Sequence, residues 1–338
     1  MATWTPPWPE GAATGSGPLP GTDEVEAARV VFGELPELPH LPELPDRGVG
    51  ADAVGRTASL LVDLHVDVHA GRWRLVTRPT GDERRGRRLL ERDLDALEEV
   101  GGAHRGPLKL QVVGPWTLAA SLELARGERA VVDQGAVRDL ADSLAEGLAR
   151  HVGDVRRRVP GAERLLIQLD EPLLPAVVAG ALPTASGWGR VPAVEEHTAQ
   201  QVLGGVLAAA GKDGGVACPG TRAPVGLARR AGARFVALEG EVLESVDDED
   251  LGSAVEEGAG LLVALVPGPG DDRDLETLAR PLRRVWSNLG MGPERLGQVV
   301  VTPAADLAGL GPDDVVAVLR RCHELARRLH EDPGPPAG

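Results

Sequence analysis

The sequence predicts an α/β fold, a (β/α)₈ or TIM barrel with a Pro-rich N-terminal arm. Short aliphatic runs alternate along the chain with segments of helical period, which is the rhythm of a parallel α/β fold. The runs are apolar throughout, as expected of parallel strands that are buried on both faces. The length of 338 residues also suits such a barrel, which takes about 250 residues plus insertions.

The first 50 residues are rich in Pro and Gly and predict mostly irregular structure, with one helix from about Asp23 to Phe32. A period of three follows, which indicates an extended polyproline-like segment; its prolines are Pro36, Pro39, Pro42 and Pro45. This segment is either a stiff linker or an ordered arm across the barrel. We expect residues 1–50 to pack on a barrel formed by residues 51–332, with a disordered tail at 333–338.

Six strand–helix units are visible. The predicted strands are 108–114, 164–171, 215–218, 234–239, 260–266 and 298–302, and the predicted helices are 133–158, 193–210, 221–231, 247–257, 272–289 and 312–330. Two more strands are expected within residues 10–80, where LVDLHVDVH and GRWRLVT are the candidates. No G-x-G-x-x-G follows a strand, so a dinucleotide-binding sheet is not supported.

Composition narrows the class of partner. The net charge of −15 repels a phosphate backbone, so we expect a small-molecule substrate and no nucleic acid. Two distant cysteines, Cys218 and Cys322, imply no disulfide framework. No signal peptide or membrane-length apolar run is visible, so the sequence predicts a cytoplasmic protein without membrane contact.

Polar residues follow several predicted strands. Asp170-Glu171, Cys218 and Glu239 each stand at a strand's carboxyl end, where barrel enzymes place their active sites. Each also has a purely structural explanation. The acids at 170 and 171 could cap a helix, Cys218 could be a small buried residue, and Glu239 could pair with a neighbouring arginine.

An alternating set lies earlier in the chain. Asp63, His65, Asp67 and His69 would share one face of a strand, and His-x-His at that spacing can bind metal. The polar face of an edge strand explains the same pattern.

The strand-end segments resemble the C-terminal catalytic barrel of cobalamin-independent methionine synthase, especially its single-barrel relatives, in the superfamily that includes uroporphyrinogen decarboxylase. The resemblance covers nearly the whole chain, and its most specific piece is IQLDEPLL. The matching segments, in order, are TGSGPLPG (14–21), VVGPWTLA (112–119), IQLDEPLL (167–174), VACPG (216–220) and FVALEGE (235–241).

This resemblance implies methyl transfer to the thiol of homocysteine, which zinc holds as a thiolate in that family. Cys218 and Glu239 would be zinc ligands at the family's Cys and Glu positions. Asp170, with Glu171 beside it, would hold the substrate's amino group, and the turn at Gly15-Ser16 would receive its carboxylate. Homocysteine or a related thiol is the expected substrate.

The sequence also departs from the family. Val216 stands where the family has its His ligand, and residues 302–305 contain no second cysteine, so that Asp306 is the nearest substitute. Three hypotheses follow: an S-methyltransferase with a partly altered zinc site, a catalytically degenerate paralogue that binds or regulates, and metal-free chemistry like that of the decarboxylase branch.

Overall fold

The computed structural model describes residues 5–184, 187–219, 223–241, 243 and 248–332. Its main sheet has six parallel strands paired in chain order. The strands are β3 (Gly106–Val113), β4 (Ala162–Asp170), β5 (Gly214–Ala217), β6 (Phe235–Glu239), β7 (Gly260–Val266) and β8 (Val300–Pro303). The six predicted strands are therefore confirmed, and the chain has a TIM-barrel-like fold.

Two short segments of the Pro-rich region lie against the two edges of this sheet. At β8, the Thr14 N–H donates to the Val301 carbonyl at 3.0 Å, and the Val301 N–H donates to Ala12 at 3.2 Å. At β3, the Leu41 N–H donates to the Lys109 carbonyl at 3.0 Å. An isolated bridge between Pro18 and Glu43 joins the two segments. Residues 12–14 and 40–43 thus close the ring; the domain division at residue 50 stays a prediction.

The two candidate strands within LVDLHVDVH and GRWRLVT are not barrel strands, and this prediction was wrong. They form an antiparallel hairpin outside the main sheet, β1 (His65–His69) with β2 (Arg72–Val76). Alternating polar residues suit a ribbon with one solvated face better than a strand buried on both. The turn uses Ala70 and Gly71, both in the left-handed region, with φ values of 49° and 78°.

The helices of the described residues are α1 (Glu24–Glu34), α2 (Ala53–Ala58), α3 (Gly81–Gly101), α4 (Pro115–Ser121), α5 (Gln134–Arg158), α6 (Leu174–Val178), α7 (Glu196–Ala210), α8 (Val225–Arg230), α9 (Asp248–Glu256), α10 (Leu275–Asn288) and α11 (Pro312–Glu331). Seven of them match predicted segments, whereas α2, α3, α4 and α6 were not predicted. In the described ranges, none of these helices combines the length and the apolar character needed to cross a bilayer.

The period of three in the Pro-rich segment has a packing reason. Its leucines are at most 2% exposed, so each one reaches the core; they are Leu35, Leu38, Leu41 and Leu44. Since these apolar side chains leave water while the prolines restrict the unfolded chain, the segment is an ordered arm and not a free linker.

Each strand separates two apolar layers. The outer layer, between strands and helices, includes Leu108 and Leu110 of β3 together with most of the core. The lower part of the barrel lumen is filled by a separate cluster, including Leu166, Phe235 and Leu262. Side chains alternate along a strand. The residues that share a face with the lumen cluster are therefore the ones available to a site inside the barrel.

Candidate functional site at the carboxyl ends of the strands

The lumen opens at the carboxyl ends of the strands. Asp170, Ala237, Glu239 and Ala264 share the face of the lumen cluster, an even number of residues further along their strands. They are partly exposed, although their strands lie inside the sheet. We call this opening the mouth. Asp170 and Ala237 lie in register across β5, so they are roughly 10 Å apart at two strand spacings. Two of the predicted site residues, Asp170 and Glu239, thus face one opening.

Asp170 is the acid of the mouth with a defined environment. Its Oδ1 accepts a hydrogen bond from Gln168 Nε2 at 2.7 Å. Burial raises the pKa of this carboxyl above its usual range, while the nearby Lys109 ammonium acts in the opposite direction. A carboxylate in this position, reachable from the mouth, is suited to an ammonium group.

Below the mouth lies a lysine that the sequence analysis did not single out. Lys109 of β3 is fully buried, and its Nζ donates to Gln111 Oε1 at 3.3 Å and to Gln168 Oε1 at 3.4 Å. The amide nitrogen of each glutamine donates to a carboxyl group. Gln168 Nε2 donates to Asp170 Oδ1 at 2.7 Å, and Gln111 Nε2 donates to Glu43 Oε1 at 3.0 Å. These five residues form what we call the lysine network.

The lysine network continues outward into the helix layer. Arg56 Nε lies 4.0 Å from Glu43 Oε1, and the Arg56 guanidinium also contacts Asp93 of α3. Asp93 in turn lies 2.7 Å from Arg47 Nη2. Burial raises the pKa of Glu43, opposed first by Arg56 and then by its hydrogen bond from Gln111. A chain of buried polar groups therefore links the barrel lumen to α3.

The Gly15-Ser16 turn lies over this network. The Gly15 N–H donates to His40 Nδ1 at 3.3 Å, and a Cβ at Gly15 would lie 2.2 Å from His40 Cε1. Gly17 has φ +132°, and a Cβ there would lie 2.9 Å from Gln111 Nε2. Burial and the Lys109 charge hold the pKa of His40 well below its usual range, so its imidazole is neutral. The turn needs its glycines because it packs directly on the polar lumen.

Glu171 has a structural task. It is fully buried, with Oε1 accepting from the Trp116 N–H at 2.9 Å and Oε2 from the Thr117 N–H at 2.7 Å. Both oxygens therefore serve the first turn of α4, whose N-cap, Gly114, has no side chain of its own to do so. Burial raises the pKa of Glu171 to about 7, opposed first by the Trp116 hydrogen bond. Glu171 therefore caps a helix, which is the structural explanation that the sequence analysis gave for it. The helix is α4, which precedes Glu171 in the chain.

Cys218 lies on the other side of the sheet from the mouth. It is 2% exposed and belongs to the apolar layer between strands and helices, as does Val216. Burial, with the charges of Glu171 and Asp170, raises the pKa of its thiol well above the usual range. Gly220 and Thr221, which follow it in the matching segment, lie outside the described residues.

The described residues do not supply a catalytic zinc site. No three of their His, Cys, Asp and Glu side chains lie together as a metal-binding group, and catalytic zinc takes three protein ligands as a rule. Asp306 is exposed, and its Oδ1 accepts from the Ala308 N–H at 3.1 Å. Cys218, Glu239 and Asp306 are therefore not brought together, and we derive no step through zinc.

Of the four alternating residues, His65 and Asp67 contact charged side chains, and Asp63 and His69 are exposed. Asp67 lies 2.9 Å from Arg74, and His65 lies 3.0 Å from the buried Glu83. Each partner lies where the hairpin folds on itself or meets α3, so the structural explanation of this pattern holds.

A sequence signal for the lysine network did exist. In LKLQVV the polar residues Lys109 and Gln111 alternate with leucines, and in LLIQLD Gln168 and Asp170 do the same. Polar residues at every second position of a strand buried on both faces indicate a polar interior to the barrel. Lys109, Gln111 and Gln168 lie within their strands and not at the carboxyl ends, where the sequence analysis placed the site.

Comparison with known proteins bears on the fold. No family profile and no curated protein matches this sequence. A B12-independent methionine synthase from Shewanella sp. W3-18-1, solved in complex with selenomethionine, superposes with a TM-score of 0.58 at 12% identity. The match covers 94% of this chain and 98% of that one. Morphinone reductase in complex with tetrahydroNAD reaches a TM-score of only 0.40 at 12% identity, over 86% of this chain and 82% of its own. At these identities the likeness shows the barrel fold alone.

Proposed function

We propose that this chain binds a small α-amino acid of the methionine and homocysteine class in the mouth of its barrel. The observation that carries the proposal is Asp170, a carboxyl at the rim that is reachable from the lumen and held in place by Gln168. An ammonium group on Asp170 would exchange water for a charged hydrogen bond at a partly desolvated site. The fold's likeness to a methionine synthase that holds selenomethionine supports this class of ligand.

The ligand's carboxylate would lie at the Gly15-Ser16 turn. The Gly15 N–H is already engaged by His40, so the partly exposed Ser16 is the residue that we expect to meet the carboxylate. Glu171 has no direct part in binding in this proposal, because its oxygens hold α4. It would act by fixing the position of the neighbouring Asp170.

The test is calorimetric titration of the protein with L-methionine and L-homocysteine. Asp170→Asn should weaken binding by about 1.5–3 kcal/mol, the usual range for a hydrogen bond to a charged group, while the exposed control Asp95→Asn should leave the affinity unchanged. Equal affinities of the Asp170→Asn variant and the wild type would remove Asp170 from the site.

Methyl transfer to a thiol is the second candidate. It is favoured by Glu239, at the position of the family's Glu ligand, which opens on the same mouth as Asp170. It predicts methionine formation from homocysteine and a methyl donor, with loss of that activity in Glu239→Ala but retained folding. If the protein binds methionine but methylates homocysteine with neither methyltetrahydrofolate nor S-adenosylmethionine, only the binding function is supported.

A further inference from the structure

The lysine network suggests a reactive amine. The chain has 36 basic residues, yet only two are lysines, Lys109 and Lys212. One of these two is exposed on the surface, and the other is fully buried in the lumen. An arginine cannot lose its proton in a protein, whereas a buried lysine can. In a sequence that otherwise uses arginine for its cations, the lumen position thus holds one of only two lysine side chains, and the buried one of the two.

The surroundings of Lys109 bring its amine closer to the neutral form than that of an exposed lysine. Its two hydrogen-bond acceptors are amide oxygens at 3.3 and 3.4 Å, and among the described residues no carboxylate oxygen is within 4.0 Å of its Nζ. Burial lowers the pKa of Lys109, while the more distant carboxyls of Asp170 and Glu43 raise it. Gln168 and Gln111 each bond to one of these carboxyls through the amide nitrogen and to Lys109 Nζ through the amide oxygen. Each carboxyl is therefore linked to the amine through a glutamine and does not contact it directly.

Small side chains line the far strands at the level of the mouth. The lumen-facing positions of β5 and β6 above Phe235 are Ala217 and Ala237, each with a single methyl group, whereas the Phe235 ring fills the lumen beside Gly215. Ala237 is partly exposed, so solvent enters the lumen to the level of Asp170, with which it lies in register across Ala217. A small molecule in the mouth therefore contacts Asp170 first. Lys109 is 0% exposed and lies deeper, linked to Asp170 through Gln168, so the lumen must open further for a molecule to reach it.

We propose that Lys109 forms an imine with a small aldehyde or ketone that enters through the mouth. The Nζ lone pair attacks the carbonyl carbon, and the carbonyl oxygen gains a proton as the amine loses one. Loss of that hydroxyl as water, with a proton supplied by Asp170, gives a protonated C=N bond, and the proton left on the nitrogen returns to the Asp170 carboxylate. One carbonyl compound and one amine thus yield one imine and one water. Because Asp170 and Glu239 line the mouth, the carbonyl compound is uncharged or carries an ammonium group.

The test uses the whole protein with glycolaldehyde and sodium cyanoborohydride, followed by peptide mapping by mass spectrometry. Lys212 serves as a built-in reference, since it is the exposed lysine of the same chain. We expect reduced adduct on Lys109 at neutral pH, with a rate that falls less steeply than that of Lys212 as the pH is lowered. Adduct on Lys212 and the N-terminal amine, with none on Lys109 unless the protein is unfolded in urea, would overturn the proposal.

Two variants complete the test. Lys109→Met removes the amine and Lys109→Arg keeps the charge, so neither should gain adduct in the lumen, with folding checked by circular dichroism. Should both fail to fold, the comparison of Lys109 with Lys212 in the wild type still decides the outcome. The proposal does not rest on amino-acid binding, because L-methionine titration of the same sample reports that function separately.

Discussion

The two oxygens of the Glu171 carboxyl group accept the backbone N–H groups of Trp116 and Thr117 at 2.9 and 2.7 Å. The acid that follows β4 thus stabilises the start of α4, the helix that follows the neighbouring strand β3. A carboxylate near a helix N-terminus satisfies unpaired donors and interacts favourably with the helix dipole.

Removing this contact should cost stability. Glu171→Ala leaves two buried N–H donors without an acceptor and should lower the free energy of unfolding by roughly 2–4 kcal/mol, measured in urea. Glu171→Gln offers only one amide oxygen to the two donors and should fall between Ala and wild type. A Glu171→Ala variant as stable as the wild type would refute the structural task assigned to this residue.

The Gly15 turn gives a second stability test. Gly15→Ala would place a Cβ 2.2 Å from the His40 ring and should cost about 1–3 kcal/mol, the range for overpacking. Gly33, in α1, has no atom within 4 Å of an added Cβ, so Gly33→Ala should be neutral or stabilise by up to about 1 kcal/mol. Thermal unfolding of the two variants side by side separates packing on the lumen from a general effect of losing glycine.

Zinc content tests the position of Cys218. Because this thiol lies in the apolar layer and not at the mouth, we expect far less than one zinc per chain by mass spectrometry, before and after reconstitution. Cys218→Ala should change neither the zinc content nor the affinity for methionine. One zinc per chain that disappears in Cys218→Ala would show instead that the loop rearranges around the metal.

A pH effect on stability is expected from His151 of α5. This side chain is 6% exposed, and burial, aided by the Arg56 charge, lowers its pKa to about 4. Between this value and the ordinary value near 6.5, the unfolded chain binds a proton that the folded chain does not. Stability therefore falls as the pH falls through this window, by up to roughly 3 kcal/mol.

The matched measurement is the free energy of unfolding of His151→Gln and of wild type at several pH values from about 7 down to 4. The difference between the two proteins should change across the window, since glutamine does not titrate and the other carboxyls are common to both. A constant difference would mean that His151 has the same pKa in the folded and the unfolded protein.

The strands and most of the helices from residue 106 onward could be predicted because each has a strong local pattern: continuous apolar runs for the strands and a 3.6-residue period for the helices. The short helices α4 and α6 were not predicted. The closure of the ring by residues 12–14 and 40–43 could not be predicted. Residues 12–14 and 40–43 join the sheet through a few backbone hydrogen bonds, which leave no apolar run for a sequence pattern to show.

The candidate site was partly predictable for a similar reason. Asp170 and Glu239 were identified because they end their strands, and both do open on the mouth. Cys218 also follows a strand, but one residue beyond the lumen-facing Ala217 the side chain meets the helix layer. The face on which a residue lies beyond a strand's end depends on the local backbone, which spacing alone does not give.

The seam between residues 12–14 and β8 has a consequence for how the chain acquires its fold. Trp8 Nε1 donates to the Gln298 carbonyl at 2.8 Å, across 290 positions of sequence, so the ring cannot close until β8 has left the ribosome. Until then the newest strand is an open sheet edge, the part of a nascent α/β protein most prone to pair with another chain. Contacts of such long sequence separation form late, which makes the arm that begins the described chain one of the final pieces to dock.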